Sequence, residues 1–342
     1  MKEETCYQES LIYKADPLEV LLDIGMSLSL QMLDEMLLIR HFETRGEQAY
    51  QMGKVWGFFH SYIGQEGIQT AVVNALSKDK NLYATTYRCH ALALLLGMSP
   101  ESGMAELFGK KTGNAGGRGG SMHMYTKNMF GGSGIVGGQW PIGAGLAFSL
   151  KYRGIKDEVA VVFGGDGSVP QGTLHESLNL SKLHNLPLII VIENNRISMG
   201  TQIERTIANP PIAHNMAKAY GIKSYTVDGM QITDVYSLFK KVKKEILENP
   251  APIMIEVLCY RFKGHSVSDA ATYRTKEELE RIKQLDPIEF FKKLLKQGGF
   301  TDQQFEERNE KQKQIVLDAV KKAEEAPFPD INSLEEGVII DD

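Results

Sequence analysis

Asp166 and Asn195 are the residues of this 342-residue chain whose types and placement most clearly suit chemistry. Asp166 stands in Gly165-Asp166-Gly167, directly after the apolar run Val159-Ala160-Val161-Val162-Phe163. Asn195 closes Glu193-Asn194-Asn195, directly after Leu188-Ile189-Ile190-Val191-Ile192. Two oxygen-bearing side chains thus end two β-like runs, with a helix-length segment between them. In an open parallel sheet, ligands bind beyond the carboxyl ends of the strands. A right-handed crossover leaves both side chains at one edge, and neighbouring strand axes lie roughly 4.8 Å apart. Both can then reach one Mg²⁺, a cation that takes oxygen ligands, and together they suit a metal holding a diphosphate. Gly165 and Gly167 leave room for phosphates near the backbone. The intervening helix is expected to turn Leu174, Leu178 and Leu183 toward the sheet, with Pro187 marking the restart as a strand.

The elements that must position this pair are those of an α/β protein with a mostly parallel sheet. From Leu82 onward, short apolar runs alternate with amphipathic stretches of helical length. Strands are expected at about 82–86, 158–164, 187–193, 223–227 and 252–259. Helices are expected at about 89–98, 100–110, 140–153, 172–185, 212–220 and 232–248. Residues 28–53 read as a helix that docks on the sheet, with Leu30, Met32, Leu33, Met36, Leu37, Leu38 and Ile39 at three- and four-residue spacing. Beyond residue 276 the chain turns helical and charged, notably over 302–325, and Glu335-Glu336 and Asp341-Asp342 read as an exposed tail. This divides the chain into a helical extension (1–55), an α/β domain (56–275) and a C-terminal helical extension with tail (276–342). Glycine is dense between Gly113 and Gly145, but Ser121-Met122-His123-Met124-Tyr125 and Ile135-Val136 interrupt it, so an ordered loop is expected.

Composition excludes other classes. The formal net charge of −5 gives no nucleic-acid footprint. No apolar run approaches the roughly 20 residues that span a bilayer, and Met1-Lys2-Glu3-Glu4-Thr5 lacks the apolar core of a signal peptide. Cys6, Cys89 and Cys259 are scattered, which suits reduced thiols and a cytoplasmic protein. No G-x-G-x-x-G joins a strand to a helix, which disfavours a dinucleotide dehydrogenase. Gly109-Lys110-Lys111-Thr112 resembles a P-loop only faintly, with the wrong spacing and at a helix end.

The G-D-G motif followed after about 26 residues by N-N resembles the pattern of thiamine diphosphate enzymes. Further segments narrow the likeness. They are Gly57-Phe58-Phe59-His60 with Gly64-Gln65-Glu66, Thr86-Tyr87-Arg88-Cys89-His90, and Gly119-Gly120-Ser121-Met122-His123-Met124-Tyr125. Gly134-Ile135-Val136-Gly137, Gly264-His265-Ser266-Val267-Ser268-Asp269 and Tyr273-Arg274-Thr275 complete them. From about residue 30 to 290 the chain resembles the alpha-subunit family of the pyruvate dehydrogenase first component.

That resemblance implies a thiamine diphosphate-binding fold. It implies Mg²⁺ held by Asp166, Asn195 and the backbone carbonyl of Ile197, a position where many relatives carry an aromatic residue. Gly134, Val136, Gly167 and Ser168 would line the cofactor, and Tyr87 and Arg88 would hold its diphosphate, a guanidinium offering paired, permanently charged donors. His265 would contact the diphosphate and face the reacting centre, and His60 would line the substrate entrance. Both are candidates for catalysis. His265, in a loop after a strand, should stand at the sheet edge; His60 and His123 could each be functional or structural, and His175, His184 and His214 read as structural. Ser266 matches a position phosphorylated in some members, where a phosphoryl group would repel the cofactor; a plain loop serine is the preferred reading.

The implied reaction is decarboxylation of a 2-oxo acid with transfer of its acyl group to the lipoyl group of a partner acyltransferase, thiamine diphosphate stabilising the carbanion. The family's aminopyrimidine-activating glutamate comes from a separate beta chain. With a single recognisable α/β unit here, the chain is expected to be inactive alone and to work as two alpha and two beta chains. Pyruvate is the favoured substrate; the branched-chain 2-oxo acid and acetoin homologues compete, as does a catalytically silent scaffold.

Overall fold

The computed structural model describes residue 7, residues 9–333 and residues 335–336; Cys6 and the Asp341-Asp342 end of the expected tail lie outside them. Its elements are β1 (Ile12–Tyr13), α1 (Pro17–Gln51), α2 (Glu66–Leu76), β2 (Leu82–Thr86), α3 (His90–Leu95), α4 (Pro100–Leu107) and β3 (Met129–Ser133). There follow α5 (Gln139–Tyr152), β4 (Ala160–Gly165), α6 (Gly172–Leu183), β5 (Leu188–Asn194), β6 (Ile197–Ser198) and β7 (Thr201–Gln202). The rest are α7 (Ile212–Ala219), β8 (Lys223–Asp228), α8 (Ile232–Glu248), β9 (Ile253–Leu258), α9 (Lys276–Lys283), α10 (Pro287–Gln297) and α11 (Asp302–Glu325).

Seven strands form one sheet in the order β1-β8-β9-β5-β4-β2-β3, and every pairing in it is parallel. Such strands are buried on both faces and read as continuous apolar runs; all seven residues of β5 are buried. Alternate side chains enter two cores. Val161, Phe163, Ile189, Val191, Ile255 and Val257 meet α1, α2, α8, α10 and α11. Ala160, Val162, Leu188, Ile190, Ile192 and Met254 meet α5, α6 and α7. The five expected strands are all present. The two the sequence reading missed are the sheet's edges: β1 is two residues long, and β3 carries Gly131 and Gly132 instead of an apolar run.

The first helix starts earlier than residue 28. Asp16 caps it, accepting from Leu18 N at 2.8 Å, and Pro17 occupies its first turn. Gly25 (φ 75°, ψ 156°) interrupts the helical geometry, which hid the continuity from periodicity alone. In α6, Leu174 and Leu178 are buried as expected, whereas Leu183 is 70% exposed. Nine residues beyond Leu174, at roughly 100° each, it has rotated to the opposite face, and Ser177 and Ser181 are buried instead.

The glycine-rich stretch is ordered, as expected. Glu106 of α4 accepts from the backbone N–H groups of Ala115, Gly117, Gly119 and Gly120 at 2.7–3.0 Å and winds the loop around itself. The P-loop-like lysine serves elsewhere: Lys110 Nζ donates to Ala326 O at 2.9 Å and lies over the Phe328 ring, holding the segment after α11. No helix among the described residues is long and apolar enough to cross a membrane.

Candidate active site

Four strands adjacent in space, β9-β5-β4-β2, each end in a loop that carries candidate site residues. β2 leads to Tyr87 and Arg88, β4 to Asp166, Gly167 and Ser168, β5 to Asn195 and Ile197, and β9 to Arg261 and His265. Three inter-strand gaps set a span of roughly 14 Å. The parallel register of β4 on β5, with Gly165 opposite Glu193, brings Asp166 and Asn195 to one edge as expected from the crossover. The loops enclose a cleft of about 210 Å³.

Tyr87, Arg88, Val136, Asp166, Gly167, Ser168, Asn195, Ile197 and His265 all line this cleft. Gly134 and His60 do not. Gly134 lies against the His123 ring. His60 packs behind the wall, its ring 4.4 Å from that of Tyr87 and 5.1 Å from that of His265. The sequence reading missed Gln65, Gln139, Glu193, Ser198, Met199 and Arg261, which also line it. Arg261 could have been found: it follows β9 by three residues and so meets the same edge as His265. His123, His175 and His214 are exposed and His184 half-buried, and none reaches the cleft.

Asp166 is 1% exposed. Its Oδ2 accepts from Ser198 Oγ at 3.0 Å. Burial raises its pKa, against the pull of Ser198, of Arg261 and of nearby backbone N–H groups. Gly165 faces open space, as a ligand approaching the backbone requires. Gly167 is needed for a different reason: a Cβ there would meet Ser198 Oγ at 2.7 Å, so its bareness admits the β6 turn rather than a phosphate.

Opposite stand two buried guanidinium groups. Arg88 donates to Ser61 O at 2.6 Å and His265 O at 2.7 Å. Arg261 donates to Ile197 O and Met199 O, each at 3.2 Å, and faces His265 Nδ1 at 3.1 Å. Among the described residues their hydrogen-bond partners are all neutral. Burial lowers the Arg88 pKa to about 10, with Arg261 adding to the effect. A buried charge whose partner is removed costs about 3–5 kcal/mol, so the pair strongly favours an anion between them. Burial, then Arg88, lowers His60 to about 3 and His265 to about 4, which keeps both rings neutral near pH 7. Glu193, at the floor, is raised to about 7 by burial and accepts from Tyr62 Oη and, at 3.3 Å, from Gln69 Nε2.

A parallel sheet whose strand ends gather buried cations, a buried carboxylate and open glycine backbone defines an α/β protein with a cleft suited to an anion and a metal. Residues 34–332 match the family described as dehydrogenase E1 component, and the chain belongs to that family of thiamine diphosphate-dependent 2-oxo acid dehydrogenases. It is 41% identical over 303 residues to the pyruvate dehydrogenase E1 component subunit alpha of Rickettsia felis, covering 88% of this chain and 92% of that one. The protein of the same name from Rhizobium meliloti is 40% identical over 310 residues, 90% of this chain and 88% of the relative. A mitochondrial form from Schizosaccharomyces pombe is 37% identical over 321 residues, 93% of this chain and 77% of the relative.

Proposed function

We propose that the cleft is the diphosphate half of a thiamine diphosphate site and that the chain is the alpha subunit of a pyruvate dehydrogenase (acetyl-transferring), a cytoplasmic enzyme. The observation that carries this reading is the pairing of Arg88 and Arg261, two buried cations with no ion pair to a carboxylate among the described residues, across one cleft from Asp166.

Mg²⁺ fits the oxygen atoms present. No group of three or more His, Cys, Asp or Glu side chains forms a metal cluster among the described residues, so the set is one carboxylate, one amide and one carbonyl. Asp166 has a single side-chain donor, and the Asn195 side-chain oxygen receives only a long bond, 3.3 Å from Ile197 N. The Ile197 carbonyl gives one of its two lone pairs to Arg261. Free lone pairs thus remain on three hard oxygen ligands. When bound, thiamine diphosphate supplies the carbanion-stabilising centre. The chain's own contribution is to neutralise the diphosphate with Arg88, to cradle it with Val136 and Ser168 beside the open backbone of Gly165, and to present His265 beside it. His60 supports the Tyr87 and His265 rings near the substrate entrance.

In this reading residues 56–275 carry the site; of the extensions 1–55 and 276–342, α1, α10 and α11 brace one face of the sheet, and β1 adds an edge strand to it. The described residues hold one large sheet and a short two-stranded hairpin, which leaves the aminopyrimidine half to a beta subunit. Two alpha and two beta chains would form the unit, delivering acyl groups to a lipoyl-bearing acyltransferase.

The test is co-expression with the beta subunit, followed by calorimetric titration of thiamine diphosphate with and without Mg²⁺. Binding is expected only with the metal, and turnover is expected with pyruvate above 2-oxoisovalerate and acetoin. A complex that binds no cofactor rejects the site, and full activity of the isolated chain rejects the shared-site arrangement.

A further inference from the structure

Arg261 joins two parts of the cleft that the sequence reading treated separately. Arg261 is 2% exposed. One amino group lies 3.1 Å from His265 Nδ1, and the other donates to the carbonyls of Ile197 and Met199 at 3.2 Å each. Arginine has five N–H donors, no acceptor and a permanent charge. The ring nitrogen it faces must therefore accept. A neutral imidazole carries one proton, so that proton lies on Nε2.

The other groups around His265 leave this assignment in place. Arg88 binds the backbone carbonyl of His265, and the Tyr87 and His60 rings pack against the imidazole. The loop's carboxylate, Asp269, accepts from His265 N, Ala271 N and Tyr273 Oη, so its hydrogen bonds go to backbone and phenol. Protonating Nδ1 would break its bond to Arg261 and set two cations about 3 Å apart, with Arg88 close by. Nε2 has no protein partner among the described residues, and His265 lines the cleft.

We infer that Arg261 is a positioning residue that holds His265 in its Nε2–H tautomer, so that His265 serves the site as a fixed, neutral hydrogen-bond donor and exchanges no proton during turnover. The same guanidinium clasps the Ile197–Met199 turn, which registers that donor against the loop bearing the candidate metal ligands. This rests on the reading of the cleft as a thiamine diphosphate site.

The experiment uses the complex with the beta subunit. His265→Gln puts a non-titrating amide N–H in place of Nε2–H, whereas His265→Ala removes the donor. His265→Gln should keep turnover within about tenfold of the native complex, and His265→Ala should lose about 10²–10³-fold, the usual effect of deleting one donor at developing charge. Equal inactivity of the two variants overturns the inference. Arg261→Gln can turn its amide oxygen toward Nδ1, so its kcat/KM profile should gain a histidine ionisation shifted up from the native one, still below the ordinary value of about 6.5 because burial and Arg88 remain. The native complex should lack that ionisation, and finding it there also overturns the inference. Calorimetry with Mg²⁺ and thiamine diphosphate separates the two levels of the argument. A native complex that binds no cofactor rejects the site and this inference together; one that binds while His265→Gln is inactive rejects the inference alone.

Discussion

Glu106 and Asp166 are both buried carboxylates flanked by glycine-rich backbone, and their surroundings assign them opposite tasks. Glu106 takes four backbone N–H groups, two on each oxygen, at 2.7–3.0 Å. Charge-assisted bonds of this kind contribute about 1.5–3 kcal/mol each, so the anion is satisfied by its own loop and leaves nothing for a ligand. Asp166 receives one side-chain donor, Ser198, with weaker support from nearby backbone N–H groups, and burial still lifts its pKa. A carboxylate closed on every side shapes a loop; one left partly open at a strand end, facing guanidinium groups, shapes a site.

The sharpest way to break this contrast is Asp166→Asn, which keeps shape and removes charge. Mg²⁺-dependent cofactor binding and turnover should fall by at least about 10²–10³-fold, while the melting temperature holds or rises because a buried uncompensated charge is gone. Native-like titration curves would end the distinction. Glu106→Gln should do the reverse. Its amide brings N–H groups toward backbone donors and orphans at least two of them, at about 1–3 kcal/mol each. Chemical denaturation should show a loss of roughly 2–5 kcal/mol, with cofactor affinity of the folded complex almost unchanged; a large affinity loss at native stability would contradict this.

A third buried carboxylate gives the smallest effect. Burial raises Glu193 to about 7 in the folded protein, from its ordinary 4.5. The folded state therefore holds a proton that the unfolded chain releases, so this stabilisation is complete below pH 4.5 and fades as pH rises through about 7. His60 and His265 act in the opposite direction: lowered to about 3 and about 4, they cost stability as pH falls below the ordinary 6.5. Between pH 5 and 7 the melting temperature should fall more steeply with rising pH for the native chain than for Glu193→Gln, and the two curves should run parallel above about pH 8. Parallel curves below pH 7 as well would show that Glu193 titrates normally.

Much of the architecture was legible because its signals are local. Apolar runs bounded by turn residues marked all five inner strands, and Ile232–Glu248 and Asp302–Glu325 match the helices read from periodicity. Edge strands were not legible: β3 needs only backbone pairing on one side and carries glycines. Within the site, most motif residues given a role were found, whereas Gln65 and Glu193 stood in quoted motifs without a role, and Gln139 and Arg261, outside them, reach the cleft through packing. Leu183 shows the converse, a residue of the right type rotated to the wrong face.

By itself the sequence determined the alternation of strands and helices and the placing of Asp166 and Asn195 at strand ends, because hydrophobic period and turn chemistry act over a few residues. Only the tertiary structure decided which loops meet. Strand order sets β9, β5, β4 and β2 side by side, although β9 lies far along the chain from β2. That order brings Arg88 and Arg261 across from Asp166 and sets Arg261 against His265. Burial then turns ordinary side chains into an anion-seeking site, because charge removed from water must find a partner.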